Sequence, residues 1–449
     1  MRETMRWIGY LLLAIVVAVS TLFAFYRVRG PSAAQREALA RMQKDYRPRQ
    51  GTNAFPLLWY VDYDVPQAEA AARLAVEVAD VRAALDAGKE ELSHKPAATK
   101  LAEAAGDASR LCPMRTGGCL AKVVGDPAAM RATLATYPVI RSRDKAFAAA
   151  DYYWAEFPPD TRVSIAANSV LAQRVWLSAH ALEYADGNRS AALADTCGNL
   201  DAWRRMHRGT NSLIGSMIAI ASADGAMRLF ADMLAGLPAG EPVPDACALA
   251  FRPVEAADVD RCAEMAGEFA VGQGVVDFVL DHGTEPRSAP QRFGAWVLFD
   301  RQQRKAWLAE EDAHWCEEPP TTLLSDTPRP ALSFDLVRRL ECISSLNGCI
   351  MARVAAPMFV PYDARTLDHA AHLRLAAALL WLRETRDDRP IAQRFAARPA
   401  ELRSGSRASD YDAGAGIVFV DNLQAAREPR FELAISDARA GGASRANPQ

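Results

Sequence analysis

Few residues in this chain have both the type and the spacing for chemistry. Asp224 interrupts the apolar stripe Met217, Ile220, Met227, Phe230 and Leu234 on one helical face. A carboxylate there must be paired, capped or near solvent, and an acid perturbed in a helix pocket is a candidate site. Gly225 beside it points instead to a kink or a close helix approach that admits a hydrogen bond. His369 and His372, in HAAHLR, stand at i and i+3 on one helix face. With Asp363 or His314 they would begin a metal site, which needs a third and a fourth ligand. Asp368 also reads as a favourable charge in a first helical turn. Asp312, His314 and Cys316 near Glu317 form a second, looser set. Asp62 and Asp64 are a possible carboxylate pair, but Asp64 before Val65 and Pro66 reads better as a helix start.

Motif by motif, known chemistries lose support. Ser142-Arg-Asp-Lys145 matches the S-x-x-K of penicillin-recognising enzymes, and Ser345-Leu-Asn347 matches their S-x-N. The K-T-G analogue, Arg115-Thr116-Gly117, lies before the serine instead of after it, so the set is out of order. The chain contains no G-x-S-x-G, no P-loop, no G-x-G-x-x-G before a helix and no H-E-x-x-H. No catalytic residue, cofactor or metal is assigned from sequence.

The eight cysteines are more at home where disulfides persist. Cys112 and Cys119 enclose Pro113 and Gly117-Gly118, and Cys342 and Cys349 enclose Asn347-Gly348, so both pairs carry turn signals. In one unbroken helix, seven residues would hold the Cα atoms about 10 Å apart, too far for a bridge. Cys247 and Cys262 flank Arg252-Pro253, a break that would let two short helices be stapled. Cys197 shares a face with Leu193 and Leu200 and reads as ordinary core. Neither it nor Cys316 receives a partner from sequence. No C-x2-C pair occurs, which argues against the usual structural zinc patterns.

The elements that must position these residues begin with Trp7 to Tyr26, uncharged and flanked by aromatics. At about 1.5 Å per residue such a helix crosses the ~30 Å hydrocarbon core. Residues 1–6 form a short tail ahead of it. A removable signal peptide competes, with a cleavage candidate around Ala18 and Ser20, but the run ends in Phe23, Phe25, Tyr26 and Arg27 rather than small residues. The basic residues after the span favour a cytoplasmic C-terminal part. The cysteines favour the periplasm, and long domains translocate largely regardless of flanking charge.

Residues 27–52 read as a basic juxtamembrane spacer. Half the residues are hydrophobic and the net charge is −3, so the remainder is globular and no nucleic-acid partner is implied. The pattern predicts a mainly α fold of antiparallel helical hairpins, as a bundle or irregular solenoid, with a small C-terminal β-hairpin. An N-terminal helical domain spans 53–237 and a C-terminal one 245–400, divided at Gly236 to Pro244. Asn53 to Val65 alternates like a short strand or extended segment. Leu74, Val78, Val81 and Leu85 give a helix from Pro66 to Gly88. Helices are expected over Arg162–Tyr184, Ala191–Arg208, Leu213–Leu234, Phe269–Val279, Phe293–Trp315, Ser333–Ser344 and Thr366–Thr385, each bounded by caps or breakers. Two strands at Gly416–Val420 and Arg430–Ile435 form the hairpin of 401–436, and 437–449 is a polar tail.

The helices around Ala181–Met206 and Leu213–Leu234, with the later HLRLAAALLWLRET and Pro399-Ala-Glu-Leu402 before a strand pair, resemble uncharacterised single-pass bacterial envelope proteins. The likeness covers these two patches, and the Gly-x-Tyr-Pro expected near Arg389 and Pro390 is missing here. The resemblance implies an anchored helical envelope protein and assigns no activity. The expectation is therefore a single-pass inner-membrane protein, held through residues 7–26, whose periplasmic helical domain binds a protein partner without catalysis. The alternatives are an envelope hydrolase or metal-dependent enzyme with an acid and histidine site, and a scaffold facing the cytoplasm.

Overall fold

The computed structural model describes residues 2–435 apart from 90–91, 103–107, 161–162, 166–168, 239, 283–287, 291–293, 295–299, 317–325, 331, 334–335, 386–387, 406 and 426–427. Arg162, Phe293, Glu317 and the tail 437–449 lie outside the described residues. The chain is mainly helical, with a small three-stranded antiparallel sheet near its end.

Helix α1 (Arg2–Arg29) is long and apolar enough to cross a membrane, and the apolar side chains of its first four turns are exposed. Its end is held: Arg27 pairs with Asp300 at 3.2 Å and donates to the Ser344 carbonyl at 3.2 Å. A capping box at Ser32 starts α2 (Ala33–Met42), with Ser32 Oγ accepting from the Gln35 amide.

Residues 53–65 depart from the expected strand. Asn53 Oδ1 accepts from the Phe55 amide and Pro56 sits in the first turn, which starts the short helix α3 (Phe55–Trp59). Only isolated bridges, Asn53 with Tyr152 and Tyr63 with Lys100, remain extended. The alternation was aromatic packing: Phe55, Trp59, Tyr60 and Phe157 share a small core with Leu74, Val78 and Val81. The latter three belong to α4 (Gln67–Asp86), which begins after Pro66 without a side-chain cap, so Asp64 does not start it. Buried Glu77 accepts from Trp59 Nε1, Tyr60 Oη and the Ala97 amide at 2.7–3.0 Å.

A strand β1 (Leu92–His94) precedes the Cys112–Cys119 loop and four short helices, α5 (Cys119–Gly125), α6 (Pro127–Leu134), α7 (Pro138–Ser142) and α8 (Asp144–Ala148). The next strand, β2 (Val163–Ile165), pairs parallel with β1, so the following helix, α9 (Ser169–Ala185), starts later than its pattern suggested. Gly187, at φ +97°, turns the chain into α10 (Arg189–Arg208), and Ser212 caps α11 (Leu213–Gly236) by accepting from Gly215 at 3.1 Å. Helices α9, α10 and α11 pack on one another. Although α11 is also long and apolar, two thirds of it is buried, as in a core helix.

Then follow α12 (Asp245–Ala250), α13 (Cys262–His282), α14 (Arg301–His314) and α15 (Leu336–Glu341). The helix expected from Thr366 begins twenty residues earlier, as α16 (Leu346–Glu384), with Pro357 and Pro361 inside it. Both prolines lie on its exposed side, away from the face that packs on Trp307 and Trp315. Asn347-Gly348 is consequently the first turn of α16, and the bend between Cys342 and Cys349 falls at Ser344–Ser345. After α17 (Ile391–Ala396), the expected pair β4 (Ile417–Asp421) and β5 (Arg430–Ala434) gains a third strand, β3 (Ser409–Asp412), in the order β3-β4-β5. The largest apolar core draws Leu177, Leu200 and Phe230 from before Gly236–Pro244 and Leu375, Leu379 and Val420 from after it.

Candidate functional site

Helix α11 carries Asp224 to the surface of α16, one turn from Arg228. Gly225 beside it lets α11 pack closely on the Cys112–Cys119 loop and α9, because an added Cβ would stand 3.0 Å from the Met114 carbonyl and 3.2 Å from Leu177. Asp224 Oδ1 accepts from His372 Nδ1 at 3.0 Å and faces His369 Nδ1 at 3.3 Å. His372 Nε2 lies 2.8 Å from Asn422 Oδ1, and the Asn422 amide nitrogen donates to the Glu428 carbonyl at 3.0 Å, which fixes the oxygen toward the ring. Both nitrogens of His372 thus face oxygen atoms within hydrogen-bond distance.

Electrostatics follow from this closure. Burial pushes the Asp224 carboxyl up, but the two histidines outweigh it and hold it well below the usual carboxylate range. The His372 ring stacks on Phe431 with centroids 3.8 Å apart, and the Arg228 guanidinium lies 4.4 Å from the same centroid. A stacked ring fills one face, so the guanidinium takes the other and also binds Glu428.

The polar chain continues inward. His369 meets His207 edge to face at 5.6 Å, and its Nε2 is buried without a hydrogen-bond partner among the described residues. Burial, with His369 beside it, lowers the His207 pKa to about 3, so that ring is neutral; it bridges Ser216 Oγ and the Asp258 carbonyl. Asp258 receives two hydrogen bonds each from Arg204 and Arg208 at 2.6–2.7 Å. Burial opposes its charge, yet the two guanidiniums hold its carboxyl well below the ordinary range.

Asp224, His372, Asn422, Arg228, Asp368 and Glu428 line a cavity of about 260 Å³. An adjoining hollow of about 370 Å³ shares Arg115, Arg228 and Glu428 and continues along β5 past Glu432 and Leu433. Asp232 on its wall is pushed up to about 6 by burial, against hydrogen bonds from the Gly118 and Leu120 amides. What this arrangement supplies is fixed charge. Both ring nitrogens of His372 are engaged, and the Nδ1 atoms of both histidines point at Asp224. Among the described residues, no three His, Cys, Asp or Glu side chains are grouped to hold a metal ion.

The other candidates are separate. Asp363 accepts from the Arg329 amide and faces Arg261, while His314 is half-buried and contacts the Pro330 carbonyl. Asp312 is buried with both oxygens unpartnered among the described residues. Burial first, then Glu268 and Glu311, pushes its pKa well up, and Glu311 is pushed up to about 7. Buried Asp62 pairs with Lys100 at 3.3 Å, away from exposed Asp64. Ser142 and Lys145 line a different hollow with Asp144 and His180, Ser142 Oγ donating to the Val139 carbonyl. Ser345 precedes α16 and Arg115–Gly117 border the α11 groove, so the S-x-x-K elements do not assemble.

Cys112 with Cys119 and Cys342 with Cys349 stand in disulfide geometry, with Cα atoms 5.0 and 5.4 Å apart. Cys247 does not reach Cys262. It pairs with Cys197, 4.9 Å between Cα atoms, because α12 packs on α10 across their shared apolar faces. Cys262 and Cys316 keep free thiols and are hydrogen-bonded to each other. Sequence reasoning did not single out Asn422, Phe431, Arg228 or the Arg204–Asp258–Arg208 cluster. Only the i, i+4 spacing of Arg204 and Arg208 was a local signal.

No protein-family model, curated protein or solved structure matches the chain.

Proposed function

We propose that this is a membrane-anchored helical protein that receives a protein partner in the groove between α11, the Cys112–Cys119 loop and β5, without chemistry of its own. The observation that carries the reading is the groove itself. Its floor holds polar groups already engaged with one another, Asp224 and Asn422 with His372 and Arg228 with Glu428, and it runs along β5, an edge of the three-stranded sheet. An edge strand beside a polar groove suits an extended peptide, which adds main-chain hydrogen bonds while its side chains meet the pre-set charges. A photo-crosslinking amino acid in place of Glu432 is expected to give a discrete adduct in cells. The same group in place of Arg131, on α6, should give none; equal labelling at both positions would reject the groove.

Anchoring in the inner membrane by α1, with the helical part in the periplasm, is the localisation this reading adopts. Three cysteine pairs in disulfide geometry support an oxidising compartment. A reporter active only in the periplasm, fused after Gln449, should be active. Activity confined to a cytoplasmic reporter would favour the scaffold alternative.

One observation favours a second reading, an envelope hydrolase or metal-dependent enzyme: His369 and His372 converge on Asp224, and Asp224 and His372 line the cavity. It requires His372 to release Asn422 or Asp224 to free a lone pair. Purified protein with about one equivalent of transition metal, lost in His372→Ala, would establish it over the binding reading.

A further inference from the structure

We infer that the first four turns of α16 lie on the surface of the bilayer that holds α1, as a second contact between this chain and lipid. The inference rests on the reading that α1 spans the membrane. Leu346, Ile350, Met351, Val354 and Met358 are each between 47% and 62% exposed. At about 100° per residue they fall within an arc of roughly 140°, which also takes in the exposed Pro357 and Pro361. The opposite side is packed: Cys349 and Ala352 on Trp307, and Phe359 and Val360 against the cluster of Trp315 and Phe269. Between Leu346 and Pro361 the only charged residue is Arg353. A soluble surface helix would put charges on such a face, whereas an interfacial helix buries it in the headgroup and acyl boundary.

The position of α1 identifies lipid as the occupant. When Trp7–Tyr26 fills the hydrocarbon core, Arg27 sits at its edge, at the water interface. Arg27 holds the Ser344 carbonyl, two residues before Leu346. The apolar face of α16 therefore starts at the level of the headgroups. Arg29 at the end of α1 and Arg353 at the margin of the stripe add positive charge for anionic lipid. A second copy of the chain, or a protein partner, would cover the same face without placing it in lipid, and the experiment separates these cases.

The full chain is reconstituted at one copy per nanodisc of phosphatidylethanolamine and phosphatidylglycerol. An environment-sensitive fluorescent amino acid replaces, one at a time, Ile350, Met358, Val16 in α1, or the exposed Val76 of α4. With lipids carrying a shallow nitroxide quencher, the labels replacing Ile350 and Met358 should lose most of their emission, while the label replacing Val76 keeps it. Quenching in place of Val16 by a deep nitroxide, with none in place of Ile350 and Met358, overturns the surface contact and leaves the anchor intact. Absence of quenching at Val16 as well removes the anchor and this inference together. Blue-shifted, unquenched emission in place of Ile350 and Met358 marks a protein-covered face and also overturns it.

Discussion

Asp224 Oδ1 and His372 Nδ1 meet at 3.0 Å between α11 and α16, 148 residues apart in the chain. The pair ties the middle of the helical body to its last long helix and, through Asn422, to the sheet. His372 Nε2 also lies 2.8 Å from Asn422 Oδ1, so both ring nitrogens are held by protein groups rather than by solvent.

Removing the carboxylate should be costly. Asp224→Ala leaves the buried Nδ1 atoms of His369 and His372 without their shared partner and is expected to lower stability by about 1–3 kcal/mol. The folded Asp224 binds fewer protons than the unfolded one, so its stabilisation is complete above the unfolded pKa, near pH 4, and is lost as the pH falls further. Thermal melts of both forms from pH 7 to 3 should show the gap narrowing only at the acid end. A gap constant across the range would show that the charge is not responsible.

Asp312 has the opposite sign. Its raised pKa means that the folded state binds more protons, so stability is highest below the unfolded pKa and declines as the pH rises toward the folded value. Asp312→Asn should therefore melt above the parent at pH 7 and match it near pH 4. A lower melting temperature at pH 7 would indicate that the carboxylate has a partner.

Phe431 lies against both the His372 ring and the Arg228 guanidinium. Phe431→Ala removes a fully buried ring and should cost about 3–5 kcal/mol. Phe431→Leu keeps most of the volume but not the π face, so a loss beyond about 1.5 kcal/mol would measure the stacking contribution. Denaturant titration of the three forms provides the comparison.

Peptide mapping without reductant should return Cys112–Cys119, Cys197–Cys247 and Cys342–Cys349, with alkylating label on Cys262 and Cys316 after denaturation. Cys197→Ser with Cys247→Ser opens a loop of 50 residues, for which chain entropy gives a loss of about 4 kcal/mol. A linked Cys247–Cys262 peptide would contradict the packing of α12 on α10.

Sequence alone determined what depends on a few adjacent residues. The uncharged run from Trp7 to Tyr26 specifies an apolar helix of membrane-spanning length, and Asn211 or Ser212 marks the start of α11, where the structure selects Ser212. Pro113 and Gly118, the latter at φ +88°, let the chain turn back so that Cys119 returns to Cys112. Asp224 was legible as an anomaly because a carboxylate in an apolar stripe demands a partner, and the i, i+3 spacing put His369 and His372 on one face. Only the tertiary structure decided that these three are one another's partners, that Asn422 closes His372, and that Cys197 takes Cys247. Caps, turns and periodicity act over one or two helical turns, whereas those pairings span 50 to 148 residues and depend on how helices stack. The start of α16 was hidden for a related reason. Prolines break a helix by local rules, and Pro357 and Pro361 are tolerated because packing on the opposite face holds the backbone helical while their side remains exposed.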